Sequence, residues 1–238
     1  MPGRTTAGTS RRRLRGAVVI AAAGSMLLGL TTSASAVTGK YRGDLPLGVP
    51  MYRQQLANDC EATALRMALA FVGHQRSDRQ LLSSIGVDMT HRQFGHSGRL
   101  SGDPYKAFVG DPNGSESKGT GYGVYYPRIA AAARANGAKV LVAQERYAPS
   151  RLYAMLAAGH PAVVWIDYLY RARKVGWYQA YDGRWIPYSG TAEHAVTLNG
   201  VTPNGVYVND PARGASWVSK KTFEAGYSSY LDAAVVLN

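Results

Sequence analysis

Apolar residues recur at three- and four-residue intervals downstream of residue 60, and this spacing predicts a helix with one buried face. Asn58 and Asp59 precede the pattern, and their side-chain oxygens can accept backbone N–H groups of a first helical turn. The apolar positions are Ala62, Leu65, Ala68, Leu69 and Val72. Cys60, the one cysteine in the sequence, is therefore expected at or one residue inside the N-terminus of a buried helix.

The remaining pattern predicts helices first and strands afterwards, in a single domain of the α+β class with N-terminal helices packed on a mainly antiparallel sheet. Residues 87–123 lack periodicity, but their aromatic content argues against disorder. Further helices are predicted to begin at Ser77 (in a capping box with Gln80), Pro127, Ser150 and Ser219. Strands are predicted at residues 140–143, 162–166, 195–198, 206–208 and 233–237, with a hairpin around Asp182-Gly183.

Residues 1–36 have the three parts of a signal peptide. An arginine-rich start is followed by an apolar run over residues 16–30 and by the small-residue sequence Ala34-Ser35-Ala36. The general secretory route is favoured over twin-arginine export, because Arg15 stands where a second apolar residue is expected. The prediction is a secreted, extracellular protein that starts at Val37, with a flexible lead over residues 37–48 and one domain over residues 49–238. No later stretch predicts a transmembrane anchor.

The chain has 238 residues and a formal net charge of +12, and removal of residues 1–36, with five arginines and no acids, leaves +7. This excess suits a protein that works near anionic cell-wall polymers or lipid head groups, although it equally serves solubility. No nucleic-acid motif accompanies the charge. A single cysteine forms no intramolecular disulfide, so Cys60 is a reactive thiol, one half of an intermolecular bridge, or a small buried hydrophobic residue.

A cysteine nucleophile needs a nearby base, and the base needs a partner that fixes its tautomer. His194 is the favoured base among five histidines, because it opens a strand whose partner strand returns with Asp210 at its far end. Asp210 would then hold the imidazole, with Asn209 as the substitute candidate. The alternative is that Asp210-Pro211 only starts a turn. The other histidines are expected to be solvated or locally bonded: His74, His91, His96 and His160.

Several segments, in order along nearly the whole mature chain, resemble the exported, stand-alone branch of the peptidase C39-like family, papain-fold cysteine peptidases related to the bacteriocin double-glycine leader peptidases. They are Val49-Pro50, Asn58-Asp59-Cys60-Glu61-Ala62, Gly102-Asp103-Pro104, Phe108-Val109-Gly110-Asp111, Thr120-Gly121-Tyr122-Gly123-Val124-Tyr125, Gly159-His160-Pro161, His194-Ala195-Val196 and Asn209-Asp210-Pro211. Glu61 departs from the glycine that follows the cysteine in the leader-processing enzymes, and the chain lacks their transporter segments.

The resemblance implies a papain-like fold and a thiol hydrolase that cleaves peptide or isopeptide bonds through an acyl-enzyme. By position, Cys60 resembles the nucleophile, His194 the base and Asp210 the orienting acid. Gln54 resembles the glutamine that completes the oxyanion hole with the backbone N–H of Cys60, and Gln55 competes for that role. A helix N-terminus and a nearby imidazolium would depress the pKa of the Cys60 thiol, provided the Asp59 carboxylate points into the helix cap.

Two other functions remain open at this stage: a transglutaminase-like acyltransferase of the same fold, and a non-catalytic module that holds cell-wall glycans or peptides through the aromatic stretch 168–188. The expected partner is a peptide or protein substrate, with cell-wall material as one candidate and no nucleic acid. No cofactor and no metal are expected, because the pair His91 and His96 lacks further ligands at suitable spacing. The sequence does not give the oligomeric state or the natural substrate.

Overall fold

The computed structural model describes residues 45–238, in which helices come first and most strands follow. The helices are α1 (Cys60–Phe71), α2 (Asp78–Ile85), α3 (Tyr126–Ala135), α4 (Pro149–Ala157) and α5 (Lys220–Ser228). The strands are β1 (Val87–Asp88), β2 (Phe108–Val109), β3 (Val140–Gln144), β4 (Ala162–Asp167), β5 (Gly176–Gln179), β6 (Trp185–Tyr188), β7 (Glu193–Val201), β8 (Gly205–Asp210), β9 (Gly214–Ser219) and β10 (Ala234–Leu237).

A six-stranded antiparallel sheet forms the centre of the domain, in the order β3-β10-β4-β7-β8-β9. Every residue of β4 is buried, which confirms the prediction that the continuous apolar run over residues 162–166 is an interior strand. The predicted hairpin around Asp182-Gly183 is also present, as the antiparallel pair of β5 and β6. The α+β class predicted from the sequence is therefore confirmed.

Helices cover both faces of this sheet. Alternate residues of a strand point to opposite sides, so each strand contributes side chains to both cores. Val163 and Trp165 pack in one core with side chains of α1, α2 and α3. Val164 and Ile166 pack in a second core with α4 and α5. The Trp165 indole N–H donates to the Val124 carbonyl at 3.0 Å, so the segment before α3 is fixed to the sheet. The sequence predicted only N-terminal helices packed on the sheet, so the packing of α4 and α5 on its second face is an addition.

The long segment over residues 87–123 is ordered by its aromatic side chains, as its composition suggested. Phe94 stacks on Tyr122 with ring centroids 4.8 Å apart, and both rings are buried. The segment also contains β1 and β2, which pair in parallel. Strands of two residues show no periodicity in a sequence, which is why they were not predicted.

Two local expectations differ from the structure. Ser150 does not cap its helix, because α4 begins at Pro149 and has Ala148 at the N-cap, two residues before the predicted cap. Proline needs no N–H partner there, so it sets the helix start. Strand β9 was not predicted, since its residues are mostly exposed or half-buried and show no regular alternation.

The described chain is bound to the domain from its first residues. The backbone N–H of Leu47 donates to the Asn199 carbonyl at 2.6 Å, and that of Val49 donates to the Asn199 side chain at 2.9 Å. The expected signal peptide, the start at Val37 and most of the flexible lead lie outside the described residues. Within residues 45–238, no helix combines the length and apolar character of a membrane span.

Candidate active site

Cys60 is the first residue of α1, as the apolar spacing predicted. Asp59 stands at the N-cap, but its side chain makes no cap hydrogen bond and instead accepts from the Leu56 N–H at 3.1 Å. The expectation that the Asp59 carboxylate points into the cap is therefore wrong. Burial raises the pKa of Asp59 to about 6, although the hydrogen bond from Leu56 lowers the pKa in part. The loop ahead of Cys60 is held by the Asn58 side-chain amide, which donates to the Tyr122 carbonyl at 2.6 Å.

His194 and Asp210 are brought together by the hairpin of β7 and β8. The His194 Nε2 lies 2.8 Å from the Asp210 Oδ1, and both side chains are buried. The Tyr168 ring packs edge-on against the imidazole at 5.0 Å between centroids. Hydrogen bonding to Asp210 and packing on Tyr168 fix the orientation of the imidazole.

Asp210 is held as a carboxylate by several donors. Arg213 Nε lies 2.7 Å from Oδ2, and the backbone N–H groups of Ala212 and Arg213 donate to Oδ1. Burial alone would raise the pKa of Asp210, but the bonds and charges of His194 and Arg213 outweigh it and hold the pKa well below its usual range. An ionised Asp210 can only accept, so Nε2 carries a proton and Nδ1 is the basic nitrogen of a neutral His194.

Cys60 and His194 line one open cavity of about 520 Å³. Helix α1 is fixed against strand β7, because the Thr197 hydroxyl donates to the Ala64 carbonyl at 2.7 Å. Gln54 lines the same cavity, whereas Gln55 lines a different one beside α2. The structure thus brings the four sequence-predicted residues Cys60, His194, Asp210 and Gln54 to one region, and it leaves Gln55 outside.

The chain matches the Peptidase_C39 like family over residues 46–235. It belongs to this family. Among curated proteins, the Bacillus subtilis (strain 168) protein YvpB, described as uncharacterized, is 30% identical over 203 residues, which cover 81% of this chain and 75% of YvpB. The family confirms the resemblance seen in the sequence motifs.

One solved structure supports the fold of this C39-like protein. A Bacillus anthracis protein, crystallised as a candidate C39-like peptidase, matches with a TM-score of 0.69 and 23% identity, over 81% of this chain and 95% of that one. At this identity the match shows the fold, which is papain-like. A double glycine motif protease from an AMS/PCAT transporter, solved with its leader peptide, reaches a TM-score of 0.43 at 18% identity, over 80% of this chain and 91% of that chain, too low to bear on specificity.

The Cys60 sulfur contacts a carboxylate in this arrangement. Among the described residues its hydrogen-bond acceptor is Glu61 Oε2, at 3.4 Å, and not the imidazole of His194. Burial, followed by the charges of Glu61 and Glu193, raises the pKa of the Cys60 thiol, with a smaller opposing effect from the Ala195 N–H. The depressed thiol pKa expected from the sequence is therefore wrong for this arrangement, because burial and two carboxyls outweigh the helix N-terminus.

Three glutamates beside Cys60, of which Glu61 and Glu193 are buried and Glu116 is half-buried, were missed as a group by the sequence reasoning. Glu61 accepts from the Val124 N–H at 2.5 Å, and Glu116 accepts from the Glu193 N–H at 3.3 Å. Burial raises the pKa of Glu61 to about 7 and, together with the neighbouring carboxyls, raises those of Glu116 and Glu193. A usable signal was present, since Glu61 follows Cys60 and Glu193 precedes His194 directly in the sequence.

Gly123 lets these glutamates approach the backbone. A Cβ at this position would lie 2.3 Å from Glu61 Oε1 and 2.9 Å from Glu193 Oε2, closer than real Cβ contacts. Any larger residue would therefore displace both carboxyls. The glycine of the motif Thr120-Gly121-Tyr122-Gly123 thus has a steric role at the site.

The side-chain amide of Gln54, at the cavity, already donates two hydrogen bonds to the backbone. Its Nε2 donates to the carbonyls of Leu56 and Ala57, both at 3.0 Å. An amide nitrogen has two hydrogens, so both are used in this arrangement. For Gln54 to donate to a substrate oxygen, its side chain must give up at least one of these bonds.

Proposed function

We propose that this C39-like protein is an exported cysteine peptidase that cleaves peptide or isopeptide bonds through a covalent acyl-enzyme. Cys60 is the nucleophile, His194 the general base and acid, and Asp210 the residue that orients the imidazole. The hydrogen bond between His194 Nε2 and Asp210 Oδ1 carries this proposal, because it leaves Nδ1 to take a proton in the cavity that Cys60 lines. Family membership supports peptidase chemistry.

The reaction begins with a neutral thiol and a neutral imidazole. On substrate binding, the Cys60 thiol turns from Glu61 to His194 Nδ1, which takes its proton as the sulfur attacks the scissile carbonyl carbon. The C–N bond then breaks, and the imidazolium gives its proton to the leaving amine. Water, deprotonated by His194, hydrolyses the thioester and releases the acid. The buried thiol explains why a base is needed at the moment of attack.

The developing oxyanion requires preorganised donors. The backbone N–H of Cys60 is available, since the first N–H groups of a helix have no partner within it. The Gln54 amide is the second donor, after it exchanges a loop carbonyl for the substrate oxygen. Its place in the cavity supports this role.

Replacement of Gln54 by Ala should lower turnover roughly 10²–10³-fold, the usual cost of one oxyanion donor. Gln55→Ala is the matched control and should have much less effect, because Gln55 lines a different cavity. Initial rates on a cleaved peptide measure both effects, and circular dichroism checks the fold. Equal losses in the two variants would remove Gln54 from this role.

Hydrolysis and acyl transfer differ only in the acceptor that reaches the acyl-enzyme. The deciding experiment incubates the full chain with a peptide library, with and without an added primary amine, and identifies the products by mass spectrometry. Free acids in both cases support the peptidase. Amide products that form in preference to acids whenever amine is present would establish the acyltransferase instead.

Cell-wall binding is a second candidate function, and the hairpin of β5 and β6 favours it. Trp177 and Trp185 are 52% and 59% exposed, and strand register places both on the same face. Flat exposed aromatic rings and a positive net charge suit a surface that holds anionic glycan polymers. This surface would bring the peptidase to its substrate in the extracellular space.

The double variant Trp177→Ala, Trp185→Ala should co-sediment with insoluble peptidoglycan several-fold less than the wild type, because both exposed indole rings of the hairpin are lost. The matched control is Trp217→Ala, a tryptophan 49% exposed on the edge strand β9, which should bind as the wild type does. Unchanged sedimentation of the double variant would exclude the hairpin as a wall-binding surface.

A further inference from the structure

The Cys60 sulfur and the two glutamates next to it have the composition of a metal-ion site. The Cys60 Sγ and one carboxylate oxygen each from Glu61 and Glu193 all lie within 4.8 Å of one another, and all three residues are buried. We propose that this cluster binds Zn²⁺, and that the bound ion blocks the nucleophile until it is removed. The block rests on the proposed function, whereas the binding does not.

Glu193 is the member of the cluster whose buried charge has no partner among the described residues. Its side chain is only 5% exposed and lines the cavity, yet neither carboxylate oxygen has a hydrogen-bond partner among the described residues. Burial of an unpaired carboxyl is costly. A cation in the cluster would balance the charge of this carboxylate and bind one of its two oxygens.

The ion pairs of the described residues give these glutamates no cationic partner. None of those pairs includes Glu61, Glu116 or Glu193. Arg173, which lines the same cavity, is paired with Asp167. Arg171 also lines the cavity, but its side chain is exposed and it forms none of the ion pairs found among the described residues.

The separation of the Cys60 and Glu61 ligand atoms suits a tetrahedral ion. Zn–S and Zn–O bonds of about 2.3 Å and 2.0 Å place sulfur and oxygen ligands about 3.5 Å apart. The observed separation of Cys60 Sγ and Glu61 Oε2 is 3.4 Å. Glu193 can complete the set by a side-chain rotation, because no hydrogen bond holds its carboxylate.

The ligand set also selects the ion. A thiolate ligand favours Zn²⁺ over Ca²⁺ and Mg²⁺, which prefer oxygen alone. Binding displaces the thiol proton to solvent and forms a Zn–S bond, so the sulfur no longer attacks a carbonyl. Three protein ligands leave a fourth position for water on the cavity side.

The test uses Co²⁺ as a spectroscopic substitute for Zn²⁺ in the full chain. We expect a near-ultraviolet thiolate-to-cobalt band that Zn²⁺ abolishes and that excess Mg²⁺ or Ca²⁺ does not. Zn²⁺ should also protect Cys60 from iodoacetamide, with protection reversed by a chelator. Absence of the band, with the thiol reactive in the presence of Zn²⁺, would overturn the site whether or not peptide turnover is found.

Variants separate ligation from general charge. Glu193→Gln should weaken Zn²⁺ binding roughly 100-fold or more, beyond the 10–100-fold typical of groups outside the ligand shell. Glu193→Gln breaks no side-chain hydrogen bond, so its fold should be kept, as thermal melting checks. Glu116→Gln should lose less than tenfold, and Glu224→Gln on α5 should lose nothing. Equal losses in Glu116→Gln and Glu193→Gln would indicate diffuse charge attraction and refute the ligand assignment.

If Zn²⁺ binds but turnover of a cleaved peptide is unaffected at saturation, the block on the nucleophile is refuted and the metal site stands. If no peptide is cleaved under any condition, the proposed function fails, and the cobalt spectrum still decides the site.

Discussion

The variants Cys60→Ala and His194→Ala should each lose at least about 10⁴-fold in turnover. The double variant should be no slower than either single variant. The two side chains act in one step, so removal of either disables the same proton transfer and attack. Independent contributions would instead multiply. The measurement is product formation from a cleaved peptide, with circular dichroism to confirm that each variant is folded.

Asp210 separates orientation from chemistry in the same series. Asp210→Ala should leave measurable activity, because Asp210 orients the imidazole without forming a bond to substrate. Asp210→Asn should retain more activity than Asp210→Ala, since its oxygen can still accept from His194 Nε2.

The matched control for the base is His160→Ala. His160 lies in the turn before β4, and this variant should cleave the peptide at the wild-type rate. Full activity in a folded His194→Ala would remove the proposed base and with it the mechanism.

Iodoacetamide should alkylate Cys60 with a midpoint above the free-thiol pKa of about 8.5, and Glu193→Gln should move that midpoint to lower pH. Burial and the ionised forms of Glu61 and Glu193 oppose formation of the thiolate, so their effect is fullest at alkaline pH. A unit charge 4.8 Å away, at an effective dielectric constant near 20, contributes about 3.5 kcal/mol, or roughly two and a half pKa units. We therefore expect a downward shift of about two units in Glu193→Gln.

The alkylation rates are measured across pH with a chelator present, so that the thiol is free of metal. Glu224→Gln is the control for loss of a remote carboxylate. A wild-type midpoint well below 8.5 would show that Cys60 leaves Glu61 in solution and forms an ion pair with His194. An unchanged midpoint in Glu193→Gln would show that the charge of Glu193 does not raise the thiol pKa.

The sequence by itself determined the elements that are defined by local chemistry. The Ser77 and Gln80 capping box is present at the start of α2, with both reciprocal hydrogen bonds formed. Ser219 caps α5 through the Thr222 N–H, and the apolar run over residues 162–166 is the buried strand β4. Caps and periodicity are short-range features, so a single chain carries enough information to predict them.

The pairing of His194 with Asp210 was also accessible from the sequence, because it follows from one hairpin. A strand that starts at a histidine, a turn and a returning strand that ends in an aspartate bring the two side chains together. Cys60 required more than this. Its place beside β7 depends on the packing of α1 on the sheet, which no local pattern encodes, and the family resemblance supplied it.

Only the tertiary structure decided the environment of the nucleophile. Glu61, Glu116 and Glu193 are far apart in the sequence, and their meeting at the Cys60 sulfur depends on helix α1, strand β7 and the loop before α3 packing together. The pKa of a thiol depends on the sum of burial and charge around it, and the sequence prediction weighed only the helix terminus, the imidazolium and the Asp59 carboxylate. The direction of the Cys60 shift therefore differed from the prediction, because three-dimensional packing placed carboxyls where the sequence predicted only an imidazole.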